Sequence, residues 1–147
     1  MTIFLYLLLI LGIFLGELWI KNKIENSKNL PRRAKGLLIR RYHNTGAMLN
    51  LGQNRRQAVA AVSLAFCAIT LVLFLLSLGQ KGNRFLRTGL ALLLGGAFSN
   101  TYDRLKRKYV VDYFSFPVKW KPLRRIVFNL SDFCIITGAL LAALGTD

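Results

Sequence analysis

The segment Ala58–Leu78, AVAAVSLAFCAITLVLFLLSL, is an unbroken apolar run without a single charged side chain. A helix that crosses a bilayer needs about 20 predominantly apolar residues, and this run has that length. Three further stretches approach it, namely Thr2–Ile20, about 85–101, and Ile126–Gly145. The sequence therefore predicts an all-α membrane protein, built as a bundle of four transmembrane helices.

The composition supports this class. Of 147 residues, 54% are hydrophobic, and the mean hydropathy is +0.41, which is more apolar than a typical soluble domain. We expect one polytopic membrane domain over residues 1–147, with helices at about 2–20, 58–78, 85–101 and 126–145. The first run has no basic residue before Lys21 and no evident cleavage site, so we interpret it as a retained helix.

The connections between the helices carry secondary predictions. Loop 21–57 contains short apolar runs at 36–39 and 47–49, bounded by Gly and Asn, which are compatible with small strands. We expect a small β-containing region outside the membrane after helix 1. Two sets of residues are predicted to lie at membrane interfaces: Trp19 with Lys21, and Tyr113 with Phe116 and Trp120.

The net charge of +15 is concentrated in two loops. Segments 21–57 and 102–125 hold 18 of the 21 basic residues, and with four spans both segments lie on the same side of the membrane. Such a charge is also typical of nucleic-acid binding. Because the chain spans a membrane, anionic lipid headgroups are the favoured partner and nucleic acid is not expected.

Polar residues recur at the edges of the last two apolar runs. The spacing Asn-x-x-Asp occurs as Asn100 and Asp103 at the end of helix 3, and as Asn129 and Asp132 at the start of helix 4. Residues three apart share one face of a helix. Asp112 also lies on the side of the basic loops, so these side chains can converge.

Acidic residues at membrane depth are costly and usually functional. Two of them, Asp112 and Asp132, suggest a carboxyl pair that shares a proton, in which one group acts as base towards water and the other as acid. Neighbouring asparagine amides and Arg104 could hold the pair and a developing oxyanion. The sequence thus predicts an aspartyl peptidase of the intramembrane type.

Other catalytic or cofactor chemistries lack the residues they need. His43 has no convincing Ser or Cys partner, and no Cys/His spacing typical of a metal site exists, so we expect neither metal nor cofactor. The pair Gly95-Gly96 is not a phosphate loop. It either lets helices approach closely or leaves room for a substrate chain.

A purely structural interpretation of the acidic residues stays open. Asp103 beside Arg104 is readily explained as an ion pair at a helix end, and for Asp112 the two interpretations are balanced. Asp132 is the strongest catalytic candidate, because no cation lies beside it in the sequence.

Together these motifs resemble the lipoprotein signal peptidase (signal peptidase II) family. The family's Asn-x-Gly block matches Asn44-Thr45-Gly46-Ala47, and its G-G-x-x-x-N-x-x-D-R block followed by V-V-D matches 95–104 and 110–112. Its F-N-x-A-D block matches 128–132, and its early D-x-x-x-K pair is echoed by Glu17 and Lys21.

The resemblance implies a membrane aspartyl endopeptidase that cuts signal peptides from diacylglyceryl-modified prolipoproteins, before the lipidated cysteine. It implies Asp112 and Asp132 as the catalytic pair, with a supporting set of Asn44, Gly46, Asn100, Asp103, Arg104 and Asn129. It also implies a multi-pass protein of the bacterial inner (plasma) membrane, with the site towards the outer side and cytoplasmic termini. The positive-inside rule would place the basic loops in the cytoplasm; we follow the family.

Three positions depart from the family pattern. Glu17 replaces Asp, Ser131 replaces Ala, and Lys108 stands where Gly is usual, in the turn before Asp112. These departures keep two rival functions in view. One is a catalytically altered paralogue that binds lipidated proteins, and the other is a small proton-coupled transporter.

Overall fold

The computed structural model describes residues 3–47, 51–79 and 82–145. In chain order its elements are α1 (Ile3–Glu25), β1 (Arg32–Ala34), β2 (Leu37–Asn44), α2 (Arg56–Leu78), α3 (Arg84–Lys106), β3 (Val110–Ser115), α4 (Lys121–Arg125) and α5 (Leu130–Leu144). The protein is therefore mostly helical with a small sheet, as the sequence predicts.

The central helix is α3, which packs against α1, α2 and α5. Its glycines make these close approaches possible. A methyl group on Gly95 would meet Ile13 of α1 at 3.0 Å, and one on Gly96 would meet the carbonyl oxygen of Ser131 in α5 at 2.6 Å. Neighbouring helices thus fill the space beside both glycines, which settles their role as packing and leaves no room there for a substrate chain.

Within the described residues, two helices are long and apolar enough to cross a membrane by length and composition. They are Ile3–Glu25 and the stretch Gln53–Leu78, which joins a 3₁₀ turn to α2. In the most apolar 18-residue window of each helix only 17% is buried inside the protein, so most of their Leu, Ile, Val and Phe side chains face outward, whereas Ile10 and Phe74 belong to the core. Helix α5 is apolar but shorter, at Leu130–Leu144. Two of the four predicted spans therefore meet the criterion by themselves.

The helix boundaries differ from the predicted ones for local reasons. Helix α1 continues to Glu25, and α3 continues to Lys106. The last helix begins at Leu130 rather than at 126, because Asn129 caps it in an extended conformation. The short helix α4 precedes it, with Pro122 in its first turn, where a missing N–H costs little.

The sheet joins the two basic loops. Its order is β1-β2-β3 and both pairs are antiparallel. The predicted run at 36–39 falls largely within β2, whereas Met48 and Leu49 of the second predicted run lie outside the described residues. Strand β3 comes from the second loop and sets Asp112 opposite Tyr42.

Two of the predicted interfacial residues are buried instead. Trp19 is exposed, but Lys21 is fully buried, because α1 continues past it and turns it towards α3. Tyr113 is 7% exposed and lies in the interior beside α5. The prediction of an interfacial role was wrong for both, and their contacts place them next to the candidate site.

Candidate active site

Asp112 is held at the junction of β2, β3 and α5. Because it lies opposite Tyr42, it shares a face of the sheet with Asn44, two residues along β2. The Asn44 amide donates to Oδ2 of Asp112 at 3.1 Å, and the Asn129 amide donates to Oδ1 at 2.7 Å. Asp112 is 2% exposed, so both carboxyl oxygens accept hydrogen bonds in a dry environment.

Asp132 lies in the first turn of α5. Its Oδ2 accepts from the backbone N–H of Asn129 at 3.0 Å, while its own N–H donates to Oδ1 of Asn129 at 3.0 Å. This reciprocal capping box fixes the start of the helix. Asn100 of α3 donates to the other oxygen, Oδ1, at 3.1 Å. Asp132 is thereby oriented by both α5 and α3.

Asn100 and Asn129 connect the two acidic residues. The Asn129 amide donates to Oδ1 of Asn100 at 3.2 Å as well as to Asp112. The same Asn100 oxygen accepts from Nζ of Lys21 at 3.0 Å. An amide oxygen that faces two donors must keep its NH₂ on the opposite side, which is the side of Asp132.

Arg104 braces the loop that carries Asn44. Its Nη2 donates to the carbonyl of Gly46 at 3.1 Å, and its Nη1 donates to the carbonyl of Asn100 at 3.4 Å. The N–H of Gly46 in turn donates to Oδ1 of Asn44 at 3.1 Å. The Nε of Arg104 is buried and has no hydrogen-bond partner among the residues that the structure describes.

Asp103 is not paired with Arg104 as the sequence suggested. Its Oδ2 lies 3.0 Å from Nζ of Lys21, and its Oδ1 lies 2.9 Å from Nε of Arg107. The N–H of Val111 also donates to Oδ2 at 3.2 Å. Asp103 therefore forms structural ion pairs with Arg107, one turn further along α3, and with Lys21 of α1. Arg104 is not its partner, because its guanidinium turns towards Gly46.

Glu17 organises a second buried cluster behind the acidic pair. Its Oε2 accepts from Oγ of Ser131 at 2.8 Å and lies 3.5 Å from Nζ of Lys21. Its Oε1 accepts from the hydroxyl of Tyr113 at 2.5 Å. Glu17 and Ser131, two of the positions that depart from the family pattern, are therefore in contact. The sequence pairs Glu17 with Lys21 through the family's early acid–lysine motif, but Lys21 and Tyr113 were predicted to lie at membrane interfaces and not among the site residues.

A cavity of about 240 Å³ opens beside the acidic pair. Asn44, Asn100, Arg104, Asp112 and Asp132 supply its polar wall. Its apolar wall comes mainly from α2, α3, α5 and the segment before α5, with Phe66, Ala97, Val127, Phe128, Ile135 and Ile136. Five of the predicted site residues thus line one cavity between the helices. The other three, Asp103, Gly46 and Asn129, lie behind its wall.

The environment of Asp112 suits proton transfer near neutral pH. Burial, and next the nearby Asp132 carboxylate, raise the pKa of Asp112 to about 7, although the hydrogen bonds from Asn44 and Asn129 oppose the rise. Among residues 3–47, 51–79 and 82–145 no group of three or more His, Cys, Asp or Glu could hold a metal ion. The Asp112 carboxyl group can therefore gain or lose a proton near neutral pH close to the Asp132 carboxyl group.

Comparison with known proteins shows the family of this chain. Its relatives include several named "Lipoprotein signal peptidase", and one of these, from Clostridioides difficile (strain 630), is 28% identical over 98% of this chain and 93% of its own length. One from Moorella thermoacetica is 32% identical over 96% and 89%. One from Mesorhizobium japonicum is 33% identical over 92% and 81%.

Solved structures share the fold. A bacterial membrane enzyme determined by the in meso method at 2.3 Å resolution superposes with a TM-score of 0.79 at 19% identity, over 97% of this chain and 87% of its own. A second such structure, at 1.9 Å resolution, gives 0.76 at 20% identity. The family model for signal peptidase (SPase) II matches residues 5–146. The chain therefore belongs to the signal peptidase II family.

Proposed function

We propose that this protein is an aspartic endopeptidase that removes signal peptides from diacylglyceryl-modified prolipoproteins, cutting before the lipidated cysteine. The observation that carries the proposal is that Asp112 and Asp132 line one cavity and are both hydrogen-bonded to Asn129. Each acid also has its own asparagine, Asn44 or Asn100.

In the proposed mechanism, Asp112 and Asp132 together hold one proton, so that one carboxyl group acts as base and the other as acid. One carboxylate takes a proton from water, whose oxygen attacks the peptide carbonyl, while the other carboxyl gives its proton to the carbonyl oxygen. When the intermediate collapses, the carboxyl group that took the proton from water gives it to the leaving amine as the C–N bond breaks, and the other carboxylate takes a hydroxyl proton from the intermediate. A pKa of about 7 for Asp112 fits this role, because a proton can then be gained or lost at neutral pH.

Arg104 and the asparagines serve the substrate and the intermediate. Arg104 lines the cavity, and its buried Nε has no hydrogen-bond partner within the described part of the chain; a guanidinium at this place would stabilise developing negative charge. Asn44 and Asn100 keep the carboxyl oxygens oriented during the proton transfers. Gly46 acts through its contact with Arg104, and Asp103 acts through Lys21.

The membrane placement is part of the proposal. We infer one polytopic domain over residues 1–147, in which α1, α2, α3 and α5 all cross the bacterial inner membrane. Helix α3 need not be strongly apolar, because most of its middle is buried by the other helices. The sheet and the site then face the outer side and the termini face the cytoplasm, as in the arrangement that the family resemblance implies.

The cavity also suits a lipidated substrate. Phe66 on α2 and Ile135 and Ile136 on α5 give it an apolar wall between two outward-facing helices, so acyl chains could enter from the bilayer. Exposed cations near the site, including Lys119 and Lys121, would attract anionic lipids. Lipidated precursors and anionic lipids are therefore the proposed partners.

Reconstitution tests the function directly. Purified protein in liposomes is mixed with a precursor that carries diacylglyceryl on its cysteine, and with the same precursor lacking the lipid. We expect release of the signal peptide from the lipidated form only. Absence of cleavage in both would favour a non-catalytic lipoprotein binder, and equal cleavage of both would contradict the proposed specificity.

A further inference from the structure

The first turn of α5 is held by three side chains from three different parts of the chain. The N–H of Leu130 donates to the hydroxyl oxygen of Tyr113 at 3.1 Å, and the N–H of Ser131 donates to Oε2 of Glu17 at 3.3 Å. The N–H of Asp132 donates to Oδ1 of Asn129. The amides at the start of a helix have no partner within it, and here all three of these are satisfied by side chains.

Tyr113 links this turn to the rest of the site. It follows Asp112 in β3, and its hydroxyl donates to Oε1 of Glu17 at 2.5 Å while it accepts from Leu130. Burial, together with the adjacent Glu17 carboxylate, raises the pKa of the Tyr113 phenol, so the hydroxyl keeps the proton that it donates. One hydroxyl thus connects the strand of Asp112, helix α1 and the helix of Asp132.

We propose that Tyr113 is a positioning residue: its hydroxyl, acting through Glu17 and the first turn of α5, sets the orientation of Asp132 relative to Asp112. The inference rests on the proposed function, since it concerns the same acidic pair. Tyr113 is not among the residues that line the cavity, so the route by which it would act on the acidic pair is through Glu17 and α5. Ser131 assists by fixing Oε2 of Glu17 through its hydroxyl.

The aromatic ring and the hydroxyl have separable roles. The ring packs on Phe114, with centroids 5.5 Å apart, and Tyr113→Phe keeps that packing while removing only the oxygen. We therefore expect Tyr113→Phe to fold. The loss should appear in kcat, because the pair is misaligned, and not in KM, because the cavity wall is unchanged.

The experiment compares Tyr113→Phe with the matched control Tyr109→Phe, whose ring stacks on His43 at 4.0 Å just before β3. With lipidated precursor, Tyr113→Phe should lower kcat about 10-fold, the loss expected for one hydrogen bond to a charged group, with KM changed less than about twofold. Tyr109→Phe should match the wild type.

A double-mutant cycle then tests the route through Glu17. If the hydroxyl acts through this carboxyl group, Tyr113→Phe should cost far less in a Glu17→Gln background than in the wild type. Ser131→Ala should lower kcat in the same direction, and also non-additively with Glu17→Gln.

Unchanged kcat in Tyr113→Phe, additive losses with Glu17→Gln, or failure of Tyr113→Phe to fold would each overturn the inference. If the wild type itself does not cleave the precursor, the proposed function fails instead. The two failures are therefore distinguishable within one set of measurements.

Discussion

The side-chain amide of Asn129 donates to Oδ1 of Asp112 across 2.7 Å, although the two residues lie 17 positions apart. Asn129 is at the same time the N-cap of α5 and receives the reciprocal hydrogen bond of Asp132. The residue that starts the helix thus also fixes the strand. Any movement of α5 relative to β3 must disturb both acids together, which suits a site that needs a constant separation between its two carboxyl groups.

Replacement of either acid by its amide should abolish cleavage. Asp112→Asn and Asp132→Asn each remove one partner of the proton exchange, and general acid–base catalysis contributes about 10²- to 10⁴-fold. We expect turnover at least about 10²-fold below the wild type, with unchanged yield from membranes. Glu25→Gln is the matched control, because Glu25 binds His43 at the surface. Near-wild-type turnover in either aspartate variant would contradict the assignment.

Stability should depend on pH through Asp112. Its pKa rises from an ordinary 3.8 to about 7 in the folded protein, so the fold binds this proton more tightly than the unfolded chain does. The resulting stabilisation is present at low pH and is lost as pH rises from about 4 to 7, by at most about 4 kcal/mol. Asp112→Asn should lack this contribution to the pH dependence.

Thermal unfolding in detergent at about pH 4.5 and about pH 8 measures the effect. The Tm of Asp112→Asn relative to wild type should be higher at the more alkaline pH. An identical difference at both values would show that Asp112 has an ordinary pKa.

The sequence predicted the parts of this site that follow from local spacing. Asn100 and Asp103 lie on one helix, and Asn129 and Asp132 form one capping box, so their relation depends on three-residue periodicity alone. The pairing of Tyr42 with Asp112 in the sheet could not be foreseen, because strand pairing between distant loops depends on how the helices bring those loops together.

The burial of Lys21 was missed for a related reason. A cation just after an apolar run is usually an interfacial anchor. Here the free-energy cost of burying the charge is offset by ion pairs and hydrogen bonds from Nζ of Lys21 to Glu17, Ser99, Asn100 and Asp103. Three of those four residues come from another helix. Tertiary contacts, which no local pattern records, therefore decided both its position and its role.

Gly96→Ala should weaken both stability and activity. The added methyl would lie 2.6 Å from the carbonyl oxygen of Ser131 and 3.0 Å from Cγ1 of Ile135, so α3 and α5 must separate. Such overpacking costs about 1–3 kcal/mol, and the shift displaces Asp132.

Gly12→Ala is the matched control. It is also a helical glycine, but no atom of the described residues lies within 4 Å of the added methyl, and Ala is favoured over Gly in a helix by about 1 kcal/mol. We expect Tm to fall for Gly96→Ala and to rise slightly for Gly12→Ala. Equal changes in the two variants would contradict the close approach of α3 to α5.

The basic surface should make substrate binding sensitive to salt. Lys119, just before α4, and Lys121 and Arg124 within it are exposed. Each cation near an anionic bilayer adds about 1 kcal/mol of attraction, which is screened within about 10 Å at 0.1 M salt. In anionic liposomes the apparent affinity for precursor should weaken as salt rises. Replacing all three residues with Gln should flatten this dependence. Arg84→Gln should not, because Arg84 begins α3 at the end that is remote from the site. If the kinetics depend neither on lipid charge nor on salt, these cations are solvated surface groups without a role in substrate binding.

Lys108 carries backbone strain that glycine would relieve. Its φ of 70° lies in the left-handed region, which costs a residue with a side chain about 1–2 kcal/mol, while the greater freedom of glycine in the unfolded chain costs about 0.5–1 kcal/mol. Lys108→Gly should therefore stabilise the protein by up to about 1 kcal/mol, or roughly 3 °C in Tm. Lys108→Ala removes the same charge but keeps the strain, so it should show no gain in Tm.

Turnover should stay unchanged in Lys108→Gly, because Asp112 already accepts hydrogen bonds from both of its amide donors when lysine occupies the turn. If Lys108→Gly and Lys108→Ala raise Tm equally, the charge of Lys108 and not its backbone conformation destabilises the protein at this position.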